Sequence, residues 1–175
     1  MTNKNYKKII DEIIRVNHAG EYGAQRIYLG QIKYCRKNTL KKKLEKIIEE
    51  EYEHYDYFDK LMVKKRARPT FMSPIWHNGG YLLGIFTSIL GEKYVHACTE
   101  AVEEVIVEHY NEQIEYLQSA GVEKEMLKKI KKFCADEDNH RSFAEQANVS
   151  NSGVEKFKDF TKGLTRLAIK ISKKI

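Results

Sequence analysis

The chain has 175 residues, 31 basic and 25 acidic side chains and a formal net charge of +6. That length suits one domain with a sizeable core, and a charged fraction of 32% with only two prolines suits a soluble helical protein. No run approaches the roughly 20 apolar residues of a membrane span, and the polar stretch Met1 to Lys8 leads into no apolar segment, so no cleavable signal peptide is expected. Cys35, Cys98 and Cys134 are odd in number, widely spaced and free of any Cys-x-x-Cys, which points to reduced thiols used in packing inside a cytosolic protein.

The first helix is expected from about Lys4 to Arg36, because Ile10, Ile14, Asn17, Glu21, Ala24 and Tyr28 recur at steps of three and four. Asn38 and Thr39 break the pattern, and either residue can cap a second helix. That helix carries Leu44, Ile47, Glu51, His54, Phe58 and Leu61 on one face to about Lys65, and Pro69 and Pro74 mark the connection beyond it. Residues 79–90 contain no charged side chain but include three glycines. The segment fits two readings, a crossover buried against the bundle or a stretch lying in a membrane interface.

A third bundle helix is expected from about Glu92 to Ser119, aligning His96, Thr99, Glu103, Ile106, Tyr110, Ile114 and Leu117, with Gly121 ending it. A fourth, from about Glu123 to Ala147, aligns Leu127, Ile130, Cys134, Glu137, His140 and Ala144. Asn148 to Gly153 is polar and turn-forming. The basic tail from Val154 to Ile175 is amphipathic, with Phe157, Phe160, Leu164, Leu167, Ala168 and Ile171 as its apolar stripe, and can pack on the bundle or dock on lipid. The expected organisation is all-α, a single helical-bundle domain over residues 1–175. It comprises two hairpins (about 4–66 and 92–148), a crossover (67–91) and a C-terminal helix (about 153–173).

Two motifs carry the chemistry. Glu51-Tyr52-Glu53-His54 and Glu137-Asp138-Asn139-His140 both read Glu-x-x-His, and residues three apart on a helix share a face. Each is preceded at helix-hairpin distance by another glutamate, Glu21 or Glu103. Four helices then supply four glutamates and two histidines, the ligand set of a carboxylate-bridged dinuclear metal site in a four-helix bundle. Glu49, Glu50, Glu112 and Glu115 fall on outward faces, whereas Glu51, Glu103 and Glu137 interrupt apolar ones. Carboxylates there are costly unless paired or bound to metal. Carboxylate plus imidazole suits iron or manganese. The alternative is an ordinary bundle in which these glutamates pair with buried Arg or His, which explains neither the repetition nor the spacing.

Other polar residues invite roles. Tyr110 shares the face of Glu103, and with His109 it could pass a proton or electron near the metals. Asn17 and His18, one turn before Glu21, are candidate partners for the ligands. Basic clusters at residues 41–43, 64–68, 128–132 and 162–174 favour anionic surfaces or are solvated helix faces. Nucleic-acid binding is not expected, because aromatics are not interleaved with the basic runs. No phosphate-cradling glycine loop and no nucleophile–His–acid arrangement is present.

The segment from Arg15 to Ala24, reading Arg-Val-Asn-His-Ala-Gly-Glu-Tyr-Gly-Ala, resembles the opening motif of the demethoxyubiquinone hydroxylases, the Coq7 (Clk-1) type. Similarity continues through Glu50 to His54, Gly79 to Gly84, Thr99 to Glu103, Glu108 to Tyr110 and Asp136 to His140. The resemblance implies two iron ions per chain. Glu21, Glu51 and His54 would hold one, Glu103, Glu137 and His140 the other, with Glu51 and Glu137 able to bridge. It implies that His109 and Tyr110 carry electrons to iron. It implies hydroxylation of a 2-polyprenyl-3-methyl-6-methoxy-1,4-benzoquinol (demethoxyubiquinol) ring by O2 in ubiquinone biosynthesis. It also implies peripheral attachment to the cytoplasmic side of the cell membrane through residues 79–90 and the C-terminal helix, with pathway proteins as possible partners. The rivals are a di-iron oxygenase with a soluble substrate, a ferroxidase or iron-storage protein, and a metal-free adaptor bundle.

Overall fold

The computed structural model describes residues 3–147 and 151–174, the side chains of residues 3 and 4 excepted. Six helices and no strand occur among them: α1 (Asn3–Tyr34), α2 (Asn38–Lys65), α3 (Ser73–Leu90), α4 (Glu92–Ala120), α5 (Lys124–Glu145) and α6 (Ser152–Ser172). The all-α class follows the sequence, and the helix order is that of a ferritin-like helical bundle. Half of the turn expected at 148–153, residues 148–150, lies outside the described residues. The chain forms two compact units, residues 1–92 with 167–175, and residues 93–166.

In the first unit α1 packs against both α2 and α3. Its expected inward face is the buried one: Ile10, Ile14, Asn17, Glu21, Ala24 and Tyr28 are all at most 8% exposed. On α2 the expected face, Leu44, Ile47, Glu51, His54, Phe58 and Leu61, is likewise buried, at most 9% exposed. The capping differs from expectation. Lys37 is the N-cap, in extended conformation and with no side-chain cap bond, so Asn38 already lies within the first turn. Helix α2 stops at Arg66, whose left-handed conformation (φ 55°) lets its backbone N–H close on Met62 and Val63. Pro74 then sits in the first turn of α3, where a missing N–H costs nothing.

The apolar segment forms the body of α3 and is buried along one narrow edge only. Gly84, Thr87 and Ser88 are buried, while Ile75, Leu82, Phe86 and Ile89 are each more than half exposed. Glycines allow this edge to meet the α1 backbone directly. A Cβ on Gly84 would fall on the Ile27 carbonyl, one on Gly80 would lie 2.9 Å from the Gly23 carbonyl, and one on Gly30 would lie 2.8 Å from the Ile85 nitrogen. Ser88 donates to the Gln31 carbonyl at 2.9 Å, and Arg26 donates to the His77 carbonyl at 3.3 Å while its guanidinium covers the Tyr81 ring. The segment therefore combines features of both sequence readings, a packed glycine edge and an exposed apolar face. No helix among the described residues is long and apolar enough to cross a membrane.

In the second unit α4 turns at Gly121 (φ +67°) into α5, which buries Met126, Ile130, Phe133, Cys134, Glu137, His140 and Ala144. Leu127 is only half-buried, its place taken by Met126. Helix α6 lies along α4 through charge. Lys158 meets Glu100 at 2.8 Å, Lys162 meets Glu104 at 2.7 Å and Arg166 meets Glu108 at 3.0 Å, a ladder in steps of four on both helices. Burial lowers the affinity of Lys158 for its proton, but Glu100 and Glu155 outweigh it and the pKa is raised, so this rung stays charged through neutral pH. Charge and small residues thus turn inward, while Phe160, Leu164 and Leu167 of the expected apolar stripe stay 65%, 42% and 51% exposed. In the first unit Arg15 reaches the Ser172 and Lys173 carbonyls at 3.0 and 3.2 Å, capping the C-terminus of α6.

The glycine edge makes a paired prediction. Gly84→Ala drives a methyl group into the α1 backbone and should cost about 1–3 kcal/mol. Gly79→Ala, with nothing within 4 Å of its Cβ, should be neutral or stabilise by about 0.4–1 kcal/mol. Thermal melts of the two variants beside the parent check the contrast, and equal melting temperatures would refute the close approach.

Candidate metal centre

Each unit carries one glutamate–glutamate–histidine triad. Helix α1 delivers Glu21 at 4% exposure, and α2 delivers Glu51 and His54, both at 0%. One carboxylate oxygen from each glutamate and a ring nitrogen of His54 lie within 4.8 Å of one another. His54 Nδ1 stands 3.5 Å from Glu21 Oε2. In the second unit α4 delivers Glu103 and α5 delivers Glu137 and His140, each at 1% exposure. Their donor atoms again fall within 4.8 Å of one another, with His140 Nδ1 2.9 Å from Glu137 Oε2.

Helical register makes these sets. A step of three turns the side chain by about 300°, so the Glu and His of each motif project together. The upstream glutamate comes from the antiparallel neighbour. Two carboxylates and one imidazole converging in a dry core form a costly arrangement without a cation. The same three groups provide hard oxygen and borderline nitrogen donors spaced for one divalent ion, so the residues present fit a metal. The nearby thiols do not compete. Burial, and then the charge of Glu103, pushes Cys98 up to about 12, and burial with Asp138 and Glu137 raises Cys134. Both stay protonated at neutral pH, whereas a metal needs the thiolate.

Asn17 is buried at 4%. His18 is buried too, but its Nε2 points to Asp59 Oδ1 at 3.3 Å and its ring rests on Tyr55 with centroids 4.6 Å apart. Burial lowers its pKa against the pull of Asp59 and Glu21, so it tends toward the neutral form. Tyr110 is buried at 1% on α4, and His109 is half-buried with Nδ1 3.4 Å from Glu112 Oε2. The sequence reading missed Gln25, whose amide donates to the Glu51 carbonyl at 3.0 Å and so ties α1 to the ligand turn of α2. It lies one helical turn beyond Glu21, a spacing that could have flagged it. It also missed Tyr22, Tyr55 and His77, which meet one another beside the first triad. Tyr22 and Tyr55 directly follow ligands in sequence, but His77 arrives on a third helix and no local pattern announces it.

Helical order and paired, buried Glu…Glu-x-x-His triads together define a carboxylate–histidine metalloprotein of the ferritin-like class. Comparison with known proteins sharpens this. The model of the ubiquinone biosynthesis protein COQ7 family matches residues 8–172, and the chain belongs to that family. A mitochondrial NADPH-dependent 3-demethoxyubiquinone 3-hydroxylase of Dictyostelium discoideum is 38% identical over 171 residues, 97% of this chain and 79% of its own length. The human protein of the same name is 45% identical over 133 residues, 75% of this chain and 61% of its own. A 3-demethoxyubiquinol 3-hydroxylase of Rhodospirillum rubrum is 44% identical over 110 residues, 62% and 52% respectively. The chain thus spans about three fifths of the human relative and about half of the bacterial one.

Because the triads fit a cation, binding should stabilise the fold by mass action, about 2.7 kcal/mol at a free metal concentration 100 times the dissociation constant. Chelator-treated protein given Fe(II) or Mn(II) without oxygen should melt at a higher temperature that climbs with metal concentration. An unchanged melting temperature with either ion would show that the triads hold none.

Proposed function

We propose that this chain, folded as a single ferritin-like domain, is an O2-dependent monooxygenase. Its reaction is hydroxylation of the ring of a 2-polyprenyl-3-methyl-6-methoxy-1,4-benzoquinol in ubiquinone biosynthesis, at a centre of two iron ions. The observation that carries the reading is the pair of buried triads, in a chain whose relatives are named demethoxyubiquinone and demethoxyubiquinol hydroxylases. Glu21, Glu51 and His54 would hold one iron and Glu103, Glu137 and His140 the second. Bound there, iron would supply the electrons and the Lewis acidity that a hydroxylation by dioxygen needs.

The chain's own residues do the rest. The four carboxylates balance the cationic charge, and their burial keeps bulk water from competing at the reacting ring. The Gln25 bond to the Glu51 carbonyl fixes the turn of α2 that presents Glu51 and His54. His109 and Tyr110 carry electrons inward along α4. The exposed Leu82, Phe86 and Ile89 of α3 and Phe160, Leu164 and Leu167 of α6 rest on lipid. The protein then sits peripherally on the cytoplasmic side of the cell membrane, and the prenyl tail stays in the bilayer. Lysines at 156 and 170 flank the α6 stripe and meet anionic headgroups.

The test is direct. Anaerobically iron-loaded, reduced protein is given a short-tailed demethoxyubiquinol and isotopically labelled O2, and mass spectrometry reads the quinone. One labelled oxygen on the ring is the expected product, whereas iron oxidation without ring hydroxylation would move the chain to the ferroxidases. Glu51→Ala and Glu137→Ala should each lose metal and turnover together, and two irons with full turnover in either variant would sink the ligand assignment.

A further inference from the structure

Four rings line up beside the first triad, and neither the proposed ligands nor the His109–Tyr110 pair includes any of them. Tyr22 follows Glu21, Tyr55 follows His54, and their ring centroids are 5.8 Å apart. The Tyr22 hydroxyl is hydrogen-bonded to Nδ1 of His77 on α3, whose ring centroid lies 5.8 Å from that of Tyr22, and in the tautomer with its proton on Nε2 the imidazole accepts from the phenol. Beyond Tyr55 the ring of His18 follows at 4.6 Å, and its Nε2 reaches the exposed carboxylate of Asp59. The row runs from the half-exposed His77 past the ligand-bearing turns of α1 and α2 to an exposed carboxylate.

A tether between α1 and α3 would explain the Tyr22–His77 bond alone. That interface is already held by the glycine edge, by Ser88 with Gln31 and by Arg26 with the His77 carbonyl. A tether also calls for no second phenol stacked behind the first. The arrangement does match what one-electron oxidation of a phenol requires. The phenol must shed its proton as the electron leaves, and an imidazole nitrogen already accepting its hydrogen bond can take that proton without diffusion. A second aromatic ring in contact offers the electron hole a neighbouring site.

We propose that the Tyr22–His77 pair is a one-electron donor to the metal centre held by Glu21 and His54. It would drain oxidising equivalents when dioxygen is reduced there with no quinol in place. The inference rests on the proposed function for its oxidant, dioxygen. Tyr22 gives one electron to the oxidised centre and its phenolic proton to Nδ1 of His77, leaving a neutral phenoxyl radical and an imidazolium. A reductant of the hydroquinone class restores the pair. It gives back one electron and releases one proton to solvent, while the proton on His77 returns to the Tyr22 oxygen. Tyr55 shares the hole by contact with Tyr22.

Iron-loaded, reduced protein should be mixed with O2 without quinol, frozen at intervals and examined by electron paramagnetic resonance, with iron content and iron oxidation followed in parallel. A tyrosyl radical is expected in the parent and in Tyr52→Phe, a control at an exposed ring, and not in Tyr22→Phe. His77→Gln keeps a hydrogen-bond acceptor but removes the base, so the radical should form at least about tenfold more slowly while iron loading is unchanged. A radical that survives Tyr22→Phe, or none in the parent despite full iron oxidation, overturns the proposal. If no iron binds or oxidises, the proposed function fails instead. The pair is then judged on the metal-free chain by flash oxidation with a ruthenium photo-oxidant. The Tyr22-dependent part of the signal should again slow about tenfold in His77→Gln, and equal rates overturn it.

Discussion

The constraint on which the rest of this chain depends is a set of carboxyl groups removed from water. Glu51, Glu103 and Glu137 are at most 1% exposed and Glu21 only 4%, among buried side chains that are mostly apolar. An isolated carboxylate in such surroundings costs several kcal/mol even after relaxation, a large share of the roughly 5–15 kcal/mol by which a domain is stable. The histidine beside each pair offers partial relief, and a divalent cation offers far more. The rigid helical frame is what keeps these groups from escaping to solvent, and the same frame sets their spacing for a metal. Stability and chemistry are therefore bound to one set of side chains.

The frame is built so that apolar surface is left over. Helix α3 spends its glycines, Thr87 and Ser88 on α1 and leaves Leu82, Phe86 and Ile89 outside. Helix α6 turns Lys158, Lys162 and Arg166 toward the glutamates of α4 and leaves Phe160, Leu164 and Leu167 outside. Both helices reverse the usual economy, in which leucine and phenylalanine are packed and charge is solvated. On each helix, packing within the chain leaves an exposed apolar stripe of the kind that marks interaction sites.

Neighbouring groups around the first triad divide the labour by reach. Gln25 ties α1 to the ligand turn of α2, His18 is claimed by Asp59, and Tyr22 is claimed by His77. These bonds extend outward from residues within one helical turn of Glu21, so α1 is braced by polar contacts as well as by packing. In the second unit the ladder from α6 plays a comparable part. It grips Glu100, Glu104 and Glu108, which flank Glu103 along α4.

Much of this was legible without coordinates, because helix periodicity is a local property. The inward faces of α1 and α2 were readable residue by residue, since a step of three or four returns to one side of a helix whatever lies across from it. The same arithmetic singled out Glu21, Glu51, His54, Glu103, Glu137 and His140, and family-like motifs gave them a chemistry. The fate of residues 79–90 was not readable, because a glycine-cut apolar helix can show either edge to its neighbour. Only the approach of Gly84 to Ile27 on α1 decided which edge is packed. The orientation of α6 was equally open, because its charged face found partners on a helix about 58 positions earlier in the chain, and no local pattern encodes such a match. His77 beside Tyr22 belongs with these, a contact across 55 positions. The sequence by itself determined the helices, the inward faces of α1 and α2 and the glutamates and histidines that are buried together in each unit, which depend on spacing within one helix. Tertiary structure alone decided which surfaces remain exposed and which side chains outside the ligand set meet, because those depend on pairing between helices.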